Sequence, residues 1–160
     1  MTETSGRAAR AFRDHEMFAG TDGRFEATTT AFDAVVEAIE NEGRIDYAVE
    51  VRAPSLSAAV DGDVAAVVEE GWLETLELRV ADADGVVRGD HELDPTVRLT
   101  GTEVVVDVSF TDIDERRGVD DAAAFVNYVE GTYVQGIIPG YDYTGPVARL
   151  VDRAQGSAGR

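Results

Sequence analysis

The chain reads as an α+β protein, a mostly antiparallel sheet of about five strands with three or four helices packed on one face. Three observations predict it. Apolar and polar residues alternate in "IDYAVEV" (45–51) and in "EVVVDVSF" (103–110), the period-two signature of half-buried strands. Apolar residues recur at helical spacing in residues 63–79 and again in 120–134. The segments follow the order helix, two or three strands, long helix, hairpin, two helices, which suits helices segregated to one side of a sheet.

Each element has its own grounds. Arg7 to Phe18 forms a short helix, with Ala8, Ala11, Phe12 and His15 at helical spacing, and Gly20 and Gly23 break it. "RFEATTT" (24–30) is a first strand, alternating and rich in threonine. Residues 31–42 fit either a helical face through Phe32, Val35, Val36 and Ile39 or a strand that turns at Asn41–Gly43. The strand is preferred, because "IDYAVEV" follows and needs a partner. Pro54 ends that second strand.

Asp63 to Arg79 is the best helix, with Val64, Val67, Val68, Gly71, Trp72, Thr75 and Leu76 on one face. Gly71 within that face costs about 1 kcal/mol of helix propensity, which predicts close packing against another backbone. Asp82 to Asp94 is a polar loop. "TVRL" (96–99), the turn residues Thr100 and Gly101, and the strand that follows form a hairpin. A helix then runs from Asp120 or Asp121 through Val134, with Gly136 as its stop. In "GIIPGYDYTGP" (136–146), Ile137 and Ile138 are expected to plug the core, and Pro146 opens a last short helix. The expected organisation is one domain over residues 1–155 and a disordered tail over 156–160.

Composition bounds the environment. Of 160 residues, 32 are acidic and 14 basic, all 14 of them arginine, for a formal net charge of −18. There are 22 Ala and 22 Val but only 7 Leu and 5 Ile. Carboxylates hold water strongly, and self-repulsion at this charge is tolerable where salt shortens the Debye length to about 3 Å. An acid-rich, lysine-free, Ala/Val-heavy chain is therefore read as a cytoplasmic protein of a salt-in halophile. The absence of cysteine removes disulfides, thiol nucleophiles and iron–sulfur ligation. The absence of lysine removes the Walker phosphate loop and Schiff-base chemistry. Scattered arginines in so acidic a chain do not form the cationic patch that nucleic acid requires. No apolar run approaches membrane-spanning length. No cofactor is expected.

Three segments carry a resemblance: "VRAPSLSAAV" (51–60), "VEEGWLETLELRV" (68–80) and "YVEGTYVQGIIPGYDYTGPV" (128–147). With the strands between them, the chain resembles a family of small acidic haloarchaeal proteins of unknown function. The resemblance implies no activity, cofactor or catalytic residue. It implies a halophilic source and that the three segments form one unit.

Candidate sites follow from the side chains. Trp72, Tyr133, Tyr141 and Tyr143 could form a surface for a protein partner or for a second copy in a homodimer, since Tyr and Trp are enriched at interface hot spots. The packing reading, in which they close the core between the last two helices, is favoured over it. "DHELD" (90–94) sets His91 among acids, and His91, Asp94, Asp112 and Asp114 could hold Mn²⁺ or Mg²⁺. Against this stands a solvated acidic loop in a chain where one residue in five is acidic. The pairs Asp61/Asp63 and Asp82/Asp84 do not continue into an EF-hand spacing. His15 lies on an apolar helix face with no Ser or Cys partner, and no serine lies in a G-x-S-x-G turn. No catalytic residue is assigned. The leading expectation is a non-enzymatic interaction module, with a metal-assisted enzyme or small-ligand binder around His91 as the alternative.

Overall fold

The computed structural model of the chain describes residues 6–21 and 23–158. Helix α1 (Gly6–Asp14) buries Ala8, Ala11 and Phe12. Two short strands follow, β1 (Phe18–Thr21) and β2 (Arg24–Ala27). Strands β3 (Asp33–Asn41) and β4 (Arg44–Pro54) form the longest hairpin. Its two turn residues, Glu42 and Gly43, have φ of 54° and 83°, the left-handed pair that a two-residue turn between twisted strands requires. Residues 31–42 thus take the strand reading. Helix α2 (Leu56–Ala59) is one turn, capped by the Ser55 hydroxyl, which accepts from the Ala58 N–H at 3.2 Å. Helix α3 (Ala66–Val80) comes next, then a 3₁₀ turn over Ala83–Val86 within the polar loop. Strands β5 (Thr96–Thr100) and β6 (Glu103–Asp112) form the predicted hairpin. Helices α4 (Glu115–Gln135) and α5 (Gly145–Ala158) complete the chain.

The sheet has six strands rather than five, all antiparallel, in the order β1-β2-β3-β4-β6-β5. The extra strand is β1, whose four residues, "FAGT", are too few to display alternation. Along β4, Ile45, Tyr47, Val49, Val51 and Ala53 are buried and the residues between them are not. Directly opposite on β6 stand Phe110 against Tyr47, Val108 against Val49 and Val106 against Val51. Helix α4 lies over this face with Val119, Ala122, Phe125, Val126, Val129 and Tyr133 buried. The other face of the sheet is lined by ion pairs, Arg24–Glu37, Arg52–Glu50, Arg52–Glu103 and Arg98–Asp107.

Three expectations need correction. Helix α4 starts at Glu115 rather than Asp120, because Asp114 caps it, its carboxylate accepting from the Arg117 N–H at 2.9 Å. Of the predicted face of α3, Trp72 and Leu76 turn inward together with Val80, whereas Val67, Gly71 and Thr75 are exposed. Gly71 packs against nothing, and a Cβ there would meet open space. The reason is that α3 carries apolar residues around most of its circumference, so its sequence is compatible with more than one buried face. Helix α5 spans Gly145–Ala158. Residues 159–160 of the expected tail lie outside the described residues.

Candidate functional site

The C-terminal aromatic residues belong mainly to the core. Trp72 packs edge-on against Tyr133 at 5.3 Å between ring centroids, and Tyr133 packs edge-on against Phe32 at 4.7 Å. Trp72 and Tyr133 are only 6% and 2% exposed, so they offer little area to a partner. The Tyr133 hydroxyl donates to the Pro54 carbonyl at 2.8 Å. Burial, and to a lesser degree the Tyr143 and Glu69 groups, push the Tyr133 pKa well above its ordinary value. Tyr143 closes the turn of "GIIPGYDYTGP". Its hydroxyl accepts from the Ile138 N–H at 2.9 Å and donates to the Ile138 carbonyl at 2.8 Å. Its backbone pairs with Val60, while the Asp61 N–H donates to Asp142 O and the Thr144 N–H to Ala59 O, each at 2.8 Å. Ile137, Ile138 and Tyr141 are half-buried against the core. The segment is a stapled joint between α4 and α5.

The face of α3 that looks away from the core is different. Val67 and Leu78 are 74% and 73% exposed, and between them lie Gly71 and Glu74, both exposed. At about 100° per residue, positions 67, 71, 74 and 78 fall on one narrow stripe of a helix. Helix α3 therefore has apolar residues on two opposite sides, and only one is covered.

Of the four acid-cluster residues predicted from sequence, the structure brings His91 and Asp112 together and leaves the side chains of Asp94 and Asp114 outside the group. Asp94 is exposed just before β5, and Asp114 serves as the α4 cap. A residue not foreseen, Asp121, completes a buried group. His91 Nε2 lies 3.4 Å from Asp112 Oδ2 and 3.2 Å from Asp121 Oδ2. The side chains are 8% exposed for His91 and 1% for each aspartate. Three elements converge here: the loop after the 3₁₀ turn supplies His91, the end of β6 supplies Asp112, and the second turn of α4 supplies Asp121.

Each carboxylate is held from behind. Arg117 forks onto Asp112, Nε to Oδ2 at 2.9 Å and Nη2 to Oδ1 at 2.7 Å, and the Asp114 N–H adds a bond to Oδ1 at 2.9 Å. Burial alone would raise the pKa of Asp112. The Arg117 hydrogen bonds, the Asp114 N–H and the nearby Arg117 and His91 charges outweigh it and hold the carboxyl below the usual range. Asp121 accepts the N–H groups of Arg88 at 2.8 Å and Gly89 at 2.9 Å, which clamps the loop to α4. The ring of His91 leans on Phe110, centroids 4.8 Å apart. A signal for Asp121 was present in the sequence: it lies four residues before Phe125, an acid on the inward side of α4.

His15 is committed elsewhere. Its Nδ1 accepts from the Met17 N–H at 3.2 Å and its Nε2 lies 3.6 Å from Asp120 Oδ1, beside a cavity of about 160 Å³. The Met17 N–H thus occupies Nδ1. On the open face of the sheet a groove of about 350 Å³ lies between Arg24 and Arg52, both already paired with glutamates. Among the described residues, no helix is long and apolar enough to cross a membrane.

A family model matches residues 13–153, nearly the whole of the described fold. The chain belongs to that family, a family of unknown function (DUF5813). The match takes in all six strands and helices α2 to α4, and with them both the outward stripe of α3 and the His91 group. No curated protein and no solved structure matches the chain.

Proposed function

We propose that this DUF5813 chain is an interaction module that docks through the outward stripe of α3, with a second copy of the chain as its occupant. The observation that carries the reading is the exposure of Val67 and Leu78 at 74% and 73% on one stripe of a helix whose opposite side already fills the core. The stripe is self-complementary. When two such helices meet antiparallel about a two-fold axis, Val67 faces the copy's Leu78 and Gly71 faces the copy's Glu74. The missing side chain at Gly71, with open space around it, leaves room for the apolar stem of that glutamate.

Charge sets the conditions. Glu74 lies in the stripe and Glu70 and Glu77 flank it, and these acids repel their counterparts across the axis in dilute buffer. At about 1 M salt the Debye length is about 3 Å, and the repulsion is screened. This joins the docking reading to the composition. We read the acid-rich, lysine-free surface as adaptation to a salt-rich cytoplasm, which fits a haloarchaeal origin. A single helix-on-helix contact is smaller than the roughly 1,200 Å² of a standard stable interface, so the association is expected to be weak and reversible.

Sedimentation equilibrium tests the reading, in about 0.1 M and about 3 M KCl, on the wild type and on Leu78→Glu. The expected result is a monomer–dimer equilibrium in high salt that Leu78→Glu abolishes. A wild type that stays monomeric at both salts, across the accessible concentration range, would remove the proposal.

A further inference from the structure

The geometry points to a second property, independent of docking: His91, Asp112 and Asp121 form a binding site for one divalent cation of the Zn²⁺ class. An acidic cluster alone would not carry this in so acidic a chain. The deciding observation is His91 Nε2. The atom is buried and has no hydrogen-bond partner. Buried polar atoms are seldom left so, and an orphan of this kind calls for an explanation such as an ion. Two carboxylate oxygens, at 3.2 and 3.4 Å from it, face the same point.

Those separations are also the ones expected between ligands of a shared ion. Donors held 2.0–2.1 Å from a tetrahedral Zn²⁺ lie about 3.3 Å from one another. The three ligand atoms all lie within 4.8 Å of one another. The oxygens that face Nε2 each accept one hydrogen bond from behind, Asp112 Oδ2 from Arg117 and Asp121 Oδ2 from Gly89, which leaves each a lone pair for a metal. Carboxylate ligands oriented by arginine and backbone N–H groups are the outer support that metal sites use. One imidazole with two carboxylates favours Zn²⁺ over the hard cations Mg²⁺ and Ca²⁺.

Gly89 makes room for the ring. A Cβ at that position would overlap Nε2 and the two ring carbons beside it. With three protein ligands the fourth position would fall to a water. The near-complete burial of the ligands suits an ion that fixes structure, tying the Arg88–Leu93 loop to β6 and α4, rather than one that meets substrate.

The test starts with the wild-type chain, freed of loose ions on a chelating resin and analysed for metal by mass spectrometry. It continues with calorimetric titration of Zn²⁺ and substitution by Co²⁺. We expect one tightly held ion per chain and the intense visible absorption of four-coordinate Co²⁺. His91→Gln should lose the ion, and Arg117→Ala should bind about 10–100-fold more weakly. Asp94→Asn, which alters an exposed acid outside the site, should bind as the wild type does. The Co²⁺ spectrum and the wild-type stoichiometry do not depend on any variant folding. No bound ion, or several weakly bound ions that His91→Gln leaves unchanged, would overturn the site.

Discussion

Replacing Gly118 by alanine tests the packing of α4 against the sheet. Gly118 is buried in the first turn of α4, and a Cβ there would overlap Cε2, Cζ and the hydroxyl of Tyr47. The Tyr47 ring has no free direction in which to yield. It is 1% exposed, stacks on Phe110 at 5.1 Å, touches Phe12 at 6.2 Å, and its hydroxyl donates to the Glu115 carbonyl at 3.2 Å. Overpacking of a filled core costs about 1–3 kcal/mol. Displacing the hydroxyl costs about 1 kcal/mol more, and alanine returns about 1 kcal/mol of helix propensity. The last two cancel, so the net loss is about 1–3 kcal/mol. Gly131→Ala is the internal control. It lies in the same helix, exposed, with nothing near its missing Cβ, and should gain about 0.5–1 kcal/mol. Urea unfolding followed by circular dichroism in high KCl reads both changes as opposite shifts of midpoint at constant slope. Equal stabilisation by the two alanines would refute the contact between Gly118 and Tyr47 and the register of α4 on β4.

Two further outcomes follow from the charges and the buried phenols. Burial, joined by the Asp112 and Glu115 charges at Tyr47 and by Tyr143 and Glu69 at Tyr133, raises the pKa of both tyrosines above the ordinary value of about 10. The folded state keeps these protons where the unfolded chain loses them, so stability is intact below about pH 10 and falls as pH rises beyond it. An alkaline unfolding titration should therefore show a transition that moves upward in Tyr133→Phe, and an unmoved transition counts against it. At a net charge of −18, the fold should loosen in dilute buffer and recover in multimolar KCl. Equal melting temperatures at the two salt levels, by circular dichroism, would contradict the salt-adapted reading of the surface.

Most of the sheet was legible because β3, β4 and the part of β6 from Val106 onward bury one face and leave the other more open, so alternation in the sequence is alternation in space. β1 was not, since four residues around Gly20 carry no period. The start of α4 was hidden because "ERRG" holds no apolar residue to mark an inward face and ends in a glycine. Its helical conformation is set by the Asp114 cap, which no apolar spacing records. The buried group of His91, Asp112 and Asp121 was only partly legible. His91 and Asp112 were singled out as acids and imidazole in neighbouring polar stretches, but Asp94 and Asp114 came with them by proximity in sequence alone. Asp121 was missed because it sits beside Asp120, whose side chain turns outward toward His15 and Arg88, and two adjacent acids on a helix read as one solvated face. In α3 the apolar residues were visible, but their division between core and surface depends on which side meets α4.

One feature of the strand order bears on how the chain reaches this structure. Every neighbouring pair in the sheet is also adjacent in sequence except β4 and β6. That seam joins Pro54 to Glu103 at one end and Ile45 to Asp112 at the other, across the whole of α2 and α3. The meander β1–β4 and the hairpin β5–β6 can each close over short loops, whereas the seam must close over one of about fifty residues, at a higher entropic cost. Contacts of such separation slow folding in general. Helix α4, which packs on both β4 and β6, cannot dock fully until both halves are present. Until then the β4 edge, with Val49 and Val51 along it, is an unpaired strand, and a chain carrying many like charges is protected there from pairing with its neighbours.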